Sequence, residues 1–197
     1  MNCAICETRR PRRSCPAVHG EICALCCGES REVTLDCPFD CPYLQEARLH
    51  QKQPDLDPEK FPNKDVEITE EFAGDNAPLF SLVGAALAKI ALGSSSATDL
   101  DVREALDAMI RTYRTLESGL IYESRPANLL AADIQRRLRE ELEEARKQLR
   151  ERRGLETVRD ADVLGVLVMF QRVELGRNNG RPRSRAFIDF LRHEFSE

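Results

Sequence analysis

The sequence has no apolar run long enough to span a bilayer. The longest run, Ala77 to Leu92, is about one turn too short for a transmembrane helix and contains Lys89. No hydrophobic stretch follows Met1, so we expect neither a signal peptide nor a transit segment. The chain is therefore predicted to be a soluble, cytoplasmic protein that does not bind membranes. Thiols stay reduced in that compartment, which disfavours disulfides.

Motifs for catalysis are also absent. The sequence has no phosphate loop of the Walker type, no dinucleotide fingerprint and no H-E-x-x-H motif. His193 stands beside Glu194 without a nucleophile in its context, and Asp160 and Asp162 are better explained as helix caps. We therefore expect a protein that is not an enzyme, with no evident small-molecule substrate. The net charge of −5 argues against the whole chain binding nucleic acid through charge alone.

The chain divides into three zones. Residues 1–53 contain all eight cysteines, and residues 54–64 contain three spaced prolines among mixed charges. Spaced prolines block both helix and strand, so the second zone is predicted to be a linker. Residues 65–197 show helical periodicity. The predicted fold is a small Cys-rich zinc-binding module followed by an all-α helical bundle.

The helices of the third zone are predicted from apolar residues that recur at steps of three and four. Ala77–Leu92 is apolar nearly all round and is expected to be the buried helix. A capping box of Thr98 and Asp101 and a terminal Gly119 bound the next helix. Further stripes are found in 134–149, before Gly154, and in 163–173 and 187–195. Residues 66–72 could form a short strand or a helical turn.

Two C-x-x-C pairs, Cys3–Cys6 and Cys23–Cys26, have the spacing of zinc knuckles. Two intervening residues let both sulfurs of a pair reach one ion at about 2.3 Å. These four cysteines are therefore predicted to form a first metal site. Eight cysteines within so short a stretch make ordinary buried or redox thiols a poor explanation.

A second metal site is predicted from the remaining four cysteines, which are Cys15, Cys27, Cys37 and Cys41. Cys15 falls between the two pairs, which indicates an interleaved module whose ligands alternate between two ions. Eight cysteines divide evenly into two four-sulfur sites, which favours Cys27 as the fourth ligand of the second. His19 is the alternative, because C-x-x-x-H from Cys15 mirrors the C-x-x-x-C spacing of Cys37 and Cys41. His50 is a third candidate.

The predicted cofactor is two Zn²⁺ ions with a structural role. A catalytic zinc keeps an open position and usually has His or carboxylate ligands, whereas four sulfurs close the site. The metal would replace the hydrophobic core that so short a segment cannot build. Four-thiolate sites also hold iron or iron–sulfur clusters, so iron is the alternative to zinc.

The spacing of residues 3–41 resembles the interleaved two-zinc fingers of the B-box, MYND and HIT classes. Those fingers mostly bind other proteins, which the resemblance implies for this segment. They usually place His among the late ligands, where this chain has Cys37 and Cys41. The segment ICALCCGESREVTLDCPFDCPYL, residues 22–44, is also similar to a motif of bacterial proteins. That similarity supports zinc binding and implies no activity.

Two basic groups could bind a partner. The first lies between Cys6 and Cys15 and consists of Arg9, Arg10, Arg12 and Arg13. These arginines could bind nucleic-acid phosphates, or they could neutralise part of the formal −2 charge of each four-thiolate zinc site. The second group flanks a turn before the last helix and consists of Arg177, Arg181, Arg183 and Arg185. It is predicted to be a solvated loop, with nucleic acid or an acidic partner as the alternative.

The function predicted first is that of a non-enzymatic zinc-binding adaptor. Its finger and helical domain would each offer a surface to a protein partner. The alternative is a nucleic-acid-associated regulatory protein that uses the finger arginines. A thiol or metal redox sensor is the third hypothesis.

Overall fold

The structure of the chain is a computed structural model, and it describes residues 2–52, 56–57, 59, 61–153 and 158–196. The N-terminal part contains a two-stranded antiparallel hairpin in which Cys15 faces Gly20 across the strands. A single 3₁₀ turn, Pro16–Val18, joins the strands, and two short helices follow them. The elements are β1 (Arg13–Cys15), β2 (Gly20–Ile22), α1 (Ala24–Ser30) and α2 (Pro42–Leu49).

The rest of the described chain is helical. Its elements are α3 (Glu70–Asp75), α4 (Ala77–Leu92), α5 (Asp99–Glu117), α6 (Leu129–Arg153), α7 (Asp160–Arg177) and α8 (Ala186–Phe195). This agrees in general terms with the predicted fold class, a cysteine-rich N-terminus followed by helices. Within the described ranges, no helix is both long enough and apolar enough to cross a membrane.

Several helix boundaries follow from local signals in the sequence. Helix α4 has the predicted bounds, and the predicted capping box of Thr98 and Asp101 is present at the start of α5. Gly119 follows the end of α5 with a φ of 78°, a left-handed conformation that glycine adopts without strain. In the ambiguous 66–72 segment, Thr69 caps a helix that begins at Glu70. Gly154, the expected end of α6, lies outside the described residues.

The core of the bundle forms where five helices, α4 to α8, meet. Helix α5 packs against α6 and α7, while α4 packs against α6, α7 and α8. The largest fully buried side chains of these helices include Leu87, Ile90, Leu106, Met109, Leu138, Leu167, Phe170 and Phe187. Burial of such apolar surface is the main stabilising term of the bundle. The apolar stripes predicted from the sequence supply these residues.

A buried carboxylate joins two helices of the bundle. Asp99, the first residue of α5, accepts hydrogen bonds from the backbone N–H groups of Phe187 and Ile188 in α8, each at 3.1 Å. The hydroxyl of Ser184 donates to the same carboxylate at 2.6 Å. Burial raises the pKa of Asp99, and the three donors act in the opposite direction. Asp99 therefore caps the N-terminus of α8 from a neighbouring helix.

The C-terminal end of the predicted linker packs on the bundle. The side chain of Arg114 in α5 donates to Asn63 Oδ1 at 2.8 and 3.0 Å. Arg172 in α7 donates to the carbonyl of Asn63 at 3.0 Å, and its guanidinium lies 5.6 Å from the ring centre of Phe61. Residues 53–55, 58 and 60 of the region lie outside the described residues. The part from residue 61 onward therefore belongs to the helical body.

Candidate metal centre

The first predicted metal site is assembled in the structure. The Sγ atoms of Cys3, Cys6, Cys23 and Cys26 all lie within 4.8 Å of one another. Four sulfurs placed tetrahedrally around an ion at about 2.3 Å would be about 3.8 Å apart, so the cluster has the dimensions of a metal site. Three of these residues are buried and Cys6 is half-buried. The donor set and its geometry therefore fit a closed, four-thiolate metal centre.

Local backbone structure brings the two C-x-x-C pairs together. The N-terminal loop is bound to the hairpin by a hydrogen bond from Ala4 N–H to the carbonyl of Glu21, at 2.9 Å. Cys23 is the N-cap of α1, and its Sγ accepts a bond from the N–H of Cys26 at 3.4 Å. The N–H of Cys23 in turn donates to Cys3 Sγ at 3.2 Å. Such N–H donors stabilise negative charge on sulfur, as metal thiolates require.

The thiols of the cluster differ in their pKa values. Hydrogen bonds from the side chain and backbone of Thr8 lower the pKa of Cys6 to about 5. The hydrogen bond with Cys23, together with burial, raises the pKa of Cys26 to about 12. One thiolate thus forms readily, while further negative charge in the cluster is opposed by the charge already there. A divalent cation would relieve that repulsion by taking the place of the protons.

The second predicted group, Cys15, Cys27, Cys37 and Cys41, is not assembled in the same way. Among the residues that the structure describes, the first cluster is the only set of three or more His, Cys, Asp or Glu side chains whose ligand atoms all lie within 4.8 Å of one another. Burial raises the pKa of the Cys37 thiol, and the charges of Cys41 and Cys15 add to that effect. Three of the four thiols therefore share one neighbourhood. The second site, with its choice between Cys27 and His19, stays a prediction.

Cys27 and His19 have different surroundings. The Sγ of Cys27 accepts hydrogen bonds from the guanidinium groups of Arg13, at 3.3 Å, and Arg31, at 3.7 Å. Cys27 is buried, whereas His19 is exposed on the turn between the strands with a φ of 50°. Cys27 thus lies among guanidinium donors inside the segment, whereas His19 lies at its surface.

Two of the four N-terminal arginines contact sulfur. A hydrogen bond to Cys23 raises the pKa of Arg9, and Arg13 donates to Cys27 while lying 4.7 Å from the ring centre of Tyr43. Arg10 and Arg12 are exposed. This arrangement favours charge compensation over phosphate binding for Arg9 and Arg13.

The cysteine-rich segment is bound to the helical bundle through Glu32. This residue is 3% exposed, follows α1, and has a φ of 51°. Its carboxylate accepts bonds from Arg48 Nη2 at 2.9 Å and from the side-chain amide of Asn179 at 2.7 Å. The N–H of Arg185 also points to it, at 3.3 Å. Arg48 additionally forms an ion pair with Asp189 in α8.

A ring of guanidinium groups surrounds Phe39 at the same junction. The guanidinium carbons of Arg185, Arg192 and Arg48 lie 4.2, 4.9 and 5.9 Å from the ring centre. Two of these arginines belong to the C-terminal part of the chain, and Phe39 lies between Cys37 and Cys41. Cation–π attraction therefore contributes to joining the two parts.

The second basic group is only partly the solvated loop expected from the sequence, since Arg177 and Arg183 are exposed but Arg181 and Arg183 also bind groups of the cysteine-rich segment. Arg181 donates to the carbonyls of Gly28, at 3.2 Å, and Arg31. Arg183 pairs with Asp36, and its N–H donates to the carbonyl of Glu32 at 2.9 Å. The guanidinium of Arg181 and the backbone N–H of Arg183 thus satisfy carbonyl groups in the last turn of α1 and directly after it. Their partners lie about 150 residues away, as in the 153-residue separation of Arg181 and Gly28, so no sequence pattern marks them.

Sequence reasoning missed Glu32 and Phe39 for the same reason. Neither residue is a ligand of a motif or part of a periodic stripe, and Phe39 is one of the variable positions between Cys37 and Cys41. Comparison of the chain with known protein families, with curated proteins and with solved structures finds no match. The functional argument therefore depends on the residues themselves.

Proposed function

We propose that the protein is a non-enzymatic, zinc-binding adaptor. Cys3, Cys6, Cys23 and Cys26 would hold a structural zinc ion, and the helical body would present a surface to a protein partner. The observation that carries the proposal is the approach of four buried or half-buried thiols to within 4.8 Å of one another. Thiolates at C-x-x-C spacing are the typical ligands of structural zinc.

The zinc would stabilise a segment that has little core of its own. Apart from cysteines, the buried hydrophobic residues described before residue 50 are Ile22 and Leu44. Two such side chains supply only a few kcal/mol of burial energy, about 1.5–3 kcal/mol each. Metal binding would therefore supply much of the folding free energy of this segment. A second zinc ion, held by Cys15, Cys37 and Cys41 with Cys27, is part of the proposal.

A partner surface is proposed around Leu120, Ile121 and Tyr122. Their exposed fractions are 63%, 97% and 65%, which is unusual for three consecutive apolar side chains. The hydroxyl of Thr115 donates to the carbonyl of Tyr122 at 3.0 Å, and Leu120 N–H donates to the carbonyl of Thr115 at 2.9 Å.

Further bonds hold the segment on its C-terminal side. Ser124 N–H donates to the hydroxyl of Thr112 at 3.0 Å, and its carbonyl accepts a bond from Gln135 at 2.6 Å. The backbone is thus ordered before any partner binds, which lowers the entropy cost of association.

Elemental analysis of the native protein tests the metal part of the proposal. We expect two zinc ions per chain, one lost in Cys23→Ser and the other in Cys27→Ser, with none lost in His19→Ala. A single zinc that Cys27→Ser leaves in place would restrict the proposal to the first site. Iron would move the function towards electron transfer or sensing, and a metal-free protein would contradict the zinc adaptor.

Cross-linking tests the adaptor part. A photo-reactive residue at position 121 should capture a distinct protein partner in cells, and Ile121→Glu should abolish co-purification of that partner. Leu100→Glu is the matched control, since Leu100 is an exposed apolar residue on α5, and it should leave the partner bound. If the native chain, Ile121→Glu and Leu100→Glu all co-purify the same amount of the partner, this surface is excluded as its binding site.

A further inference from the structure

An open cleft lies between the cysteine-rich segment and the bundle. Its volume is about 630 Å³, within the range of small-molecule sites. The cysteine-rich side contributes Arg31 and the end of α2 with Lys52 beyond it. The bundle side contributes Arg103 of α5 and the loop after α7, including Arg181.

The cleft is lined by positive charge. Arg31, Lys52, Arg103 and Arg181 all line it, and no acidic side chain is found among its described lining residues. Two buried carboxylates lie just behind this lining: Glu174 is paired with Arg103 at 2.8 and 2.9 Å, and Glu32 accepts a hydrogen bond from Asn179 while it is paired with Arg48. In the part of the chain that the structure describes, Arg31, Lys52 and Arg181 form no ion pair with a carboxylate, although Arg31 donates to Cys27 and Arg181 to backbone carbonyls. Like charges held together in a cleft attract an anion strongly.

The polar groups of the cleft are held in place by bonds outside it. Asn178 donates to Glu174 at 2.8 Å, and Asn179 donates to Glu32 at 2.7 Å. The backbone N–H of Gly180 donates a hydrogen bond to Asn178 Oδ1 at 2.6 Å, and the backbone N–H of Arg181 donates one to Asn179 Oδ1 at 3.0 Å. The loop is therefore ordered by its own hydrogen bonds. An anion would meet a preorganised surface, which favours binding.

We propose that this cleft binds the phosphate group of a small molecule. Guanidinium and ammonium groups bind phosphate oxygens through charge-assisted hydrogen bonds, and several cations converging on one cleft suit a multiply charged anion. Ala47 and Leu175 also line the cleft and offer apolar contact to the rest of such a molecule. The inference is independent of which metal the cysteines hold.

The cleft exists only while its two sides are joined. Arg31 also donates to Cys27, and Arg181 binds the carbonyls of Gly28 and Arg31. A bound phosphate would contact both sides and so stabilise the joined arrangement. The adaptor would then respond to the concentration of a phosphorylated metabolite.

Calorimetric titration of the full native chain tests the proposal. The probes are inorganic phosphate, pyrophosphate and a simple phosphate monoester, with a single-stranded RNA and phosphatidylserine vesicles as comparison ligands. We expect saturable binding of one pyrophosphate or monoester per chain. Lys52→Gln should weaken that binding about tenfold, since it removes a charge-assisted contact from an exposed residue that does not hold the fold.

The matched control is Lys147→Gln, which removes the same charge from an exposed site on α6 outside the cleft. It should leave the affinity unchanged. Absence of saturable binding, or equal weakening by the two substitutions, would overturn the proposal. Binding of RNA or vesicles that pyrophosphate does not displace would overturn it as well, in favour of a macromolecular phosphate.

Discussion

The carboxylate of Glu32 accepts a hydrogen bond from the side-chain amide of Asn179 at 2.7 Å, across 147 residues of sequence. The other carboxylate oxygen lies 2.9 Å from Arg48, so both oxygens are satisfied inside the junction. The cysteine-rich segment and the helical bundle are therefore joined by buried polar contacts as well as by the chain. We expect loss of metal from the first segment to weaken the bundle too.

Removal of the Glu32 side chain should separate the two parts. We expect Glu32→Ala to lower the free energy of unfolding by about 3 kcal/mol, because Arg48 and Asn179 lose a buried partner. Urea denaturation measures the change, and proteolysis between residues 28 and 40 should become faster. Glu29→Ala is the control, since Glu29 is exposed on α1. A similar loss in both variants would mean that the junction is not held by this carboxylate.

The ring of Phe39 should contribute beyond its apolar area. Phe39→Leu keeps an apolar side chain but removes the ring that faces three guanidinium groups, so we expect a loss of about 1–2 kcal/mol in unfolding free energy. Phe61→Leu serves for comparison, since the Phe61 ring faces the single guanidinium of Arg172, whose carbon lies 5.6 Å from the ring centre. Thermal or urea unfolding should show the larger loss for Phe39→Leu. The reverse order would contradict the cation–π argument.

The stability of the protein in acid should depend on Asp162. The guanidinium of Arg159 donates to it at 2.8 and 2.9 Å and lowers the pKa of its carboxyl below the usual 3.8. A lowered folded-state pKa stabilises the protein above the unfolded value, and this is lost as the pH falls through the folded value. The stability advantage of the native chain over Asp162→Asn should therefore shrink on acidification below about pH 4. Urea unfolding across that range measures it.

Asp99 should show the opposite pH dependence. Burial raises its pKa, so the folded protein binds its proton more tightly than the unfolded chain does. Native stability relative to Asp99→Asn should therefore rise as the pH falls through the region of that raised pKa. The same urea series measures both variants. Parallel trends for Asp99 and Asp162 would contradict the assignment of burial and ion pairing as their causes.

Gly165 in α7 should not tolerate alanine. A Cβ atom there would stand 2.2 Å from the ring of Phe72, so the ring would have to move. We expect Gly165→Ala to destabilise the protein by about 1–3 kcal/mol, although alanine is the better helix former. Gly28→Ala in α1, where nothing lies within 4 Å of the added atom, should instead be neutral or stabilising. Equal effects in thermal unfolding would rule out close packing of Phe72 on α7.

The helical part of the fold could be predicted because its signals are local. The bounds of α4 and the capping box of Thr98 and Asp101 depend on residues within one or a few turns of each other. The first cysteine cluster is local only within each C-x-x-C pair, whose spacing lets both sulfurs reach one ion, whereas the approach of the two pairs depends on contacts such as that of Cys23 N–H with Cys3.

The sequence by itself thus determined the long helices of the bundle, the spacing of the two C-x-x-C pairs and the absence of a long apolar span. Only the tertiary structure decided that Arg181 and Arg183 bind the segment after α1, that Glu32 is buried, and that Arg9 and Arg13 face sulfur. Those contacts join groups without a common period or spacing. Their positions depend on how preformed elements pack, and packing is set by the shape and burial of whole surfaces rather than by neighbours in sequence.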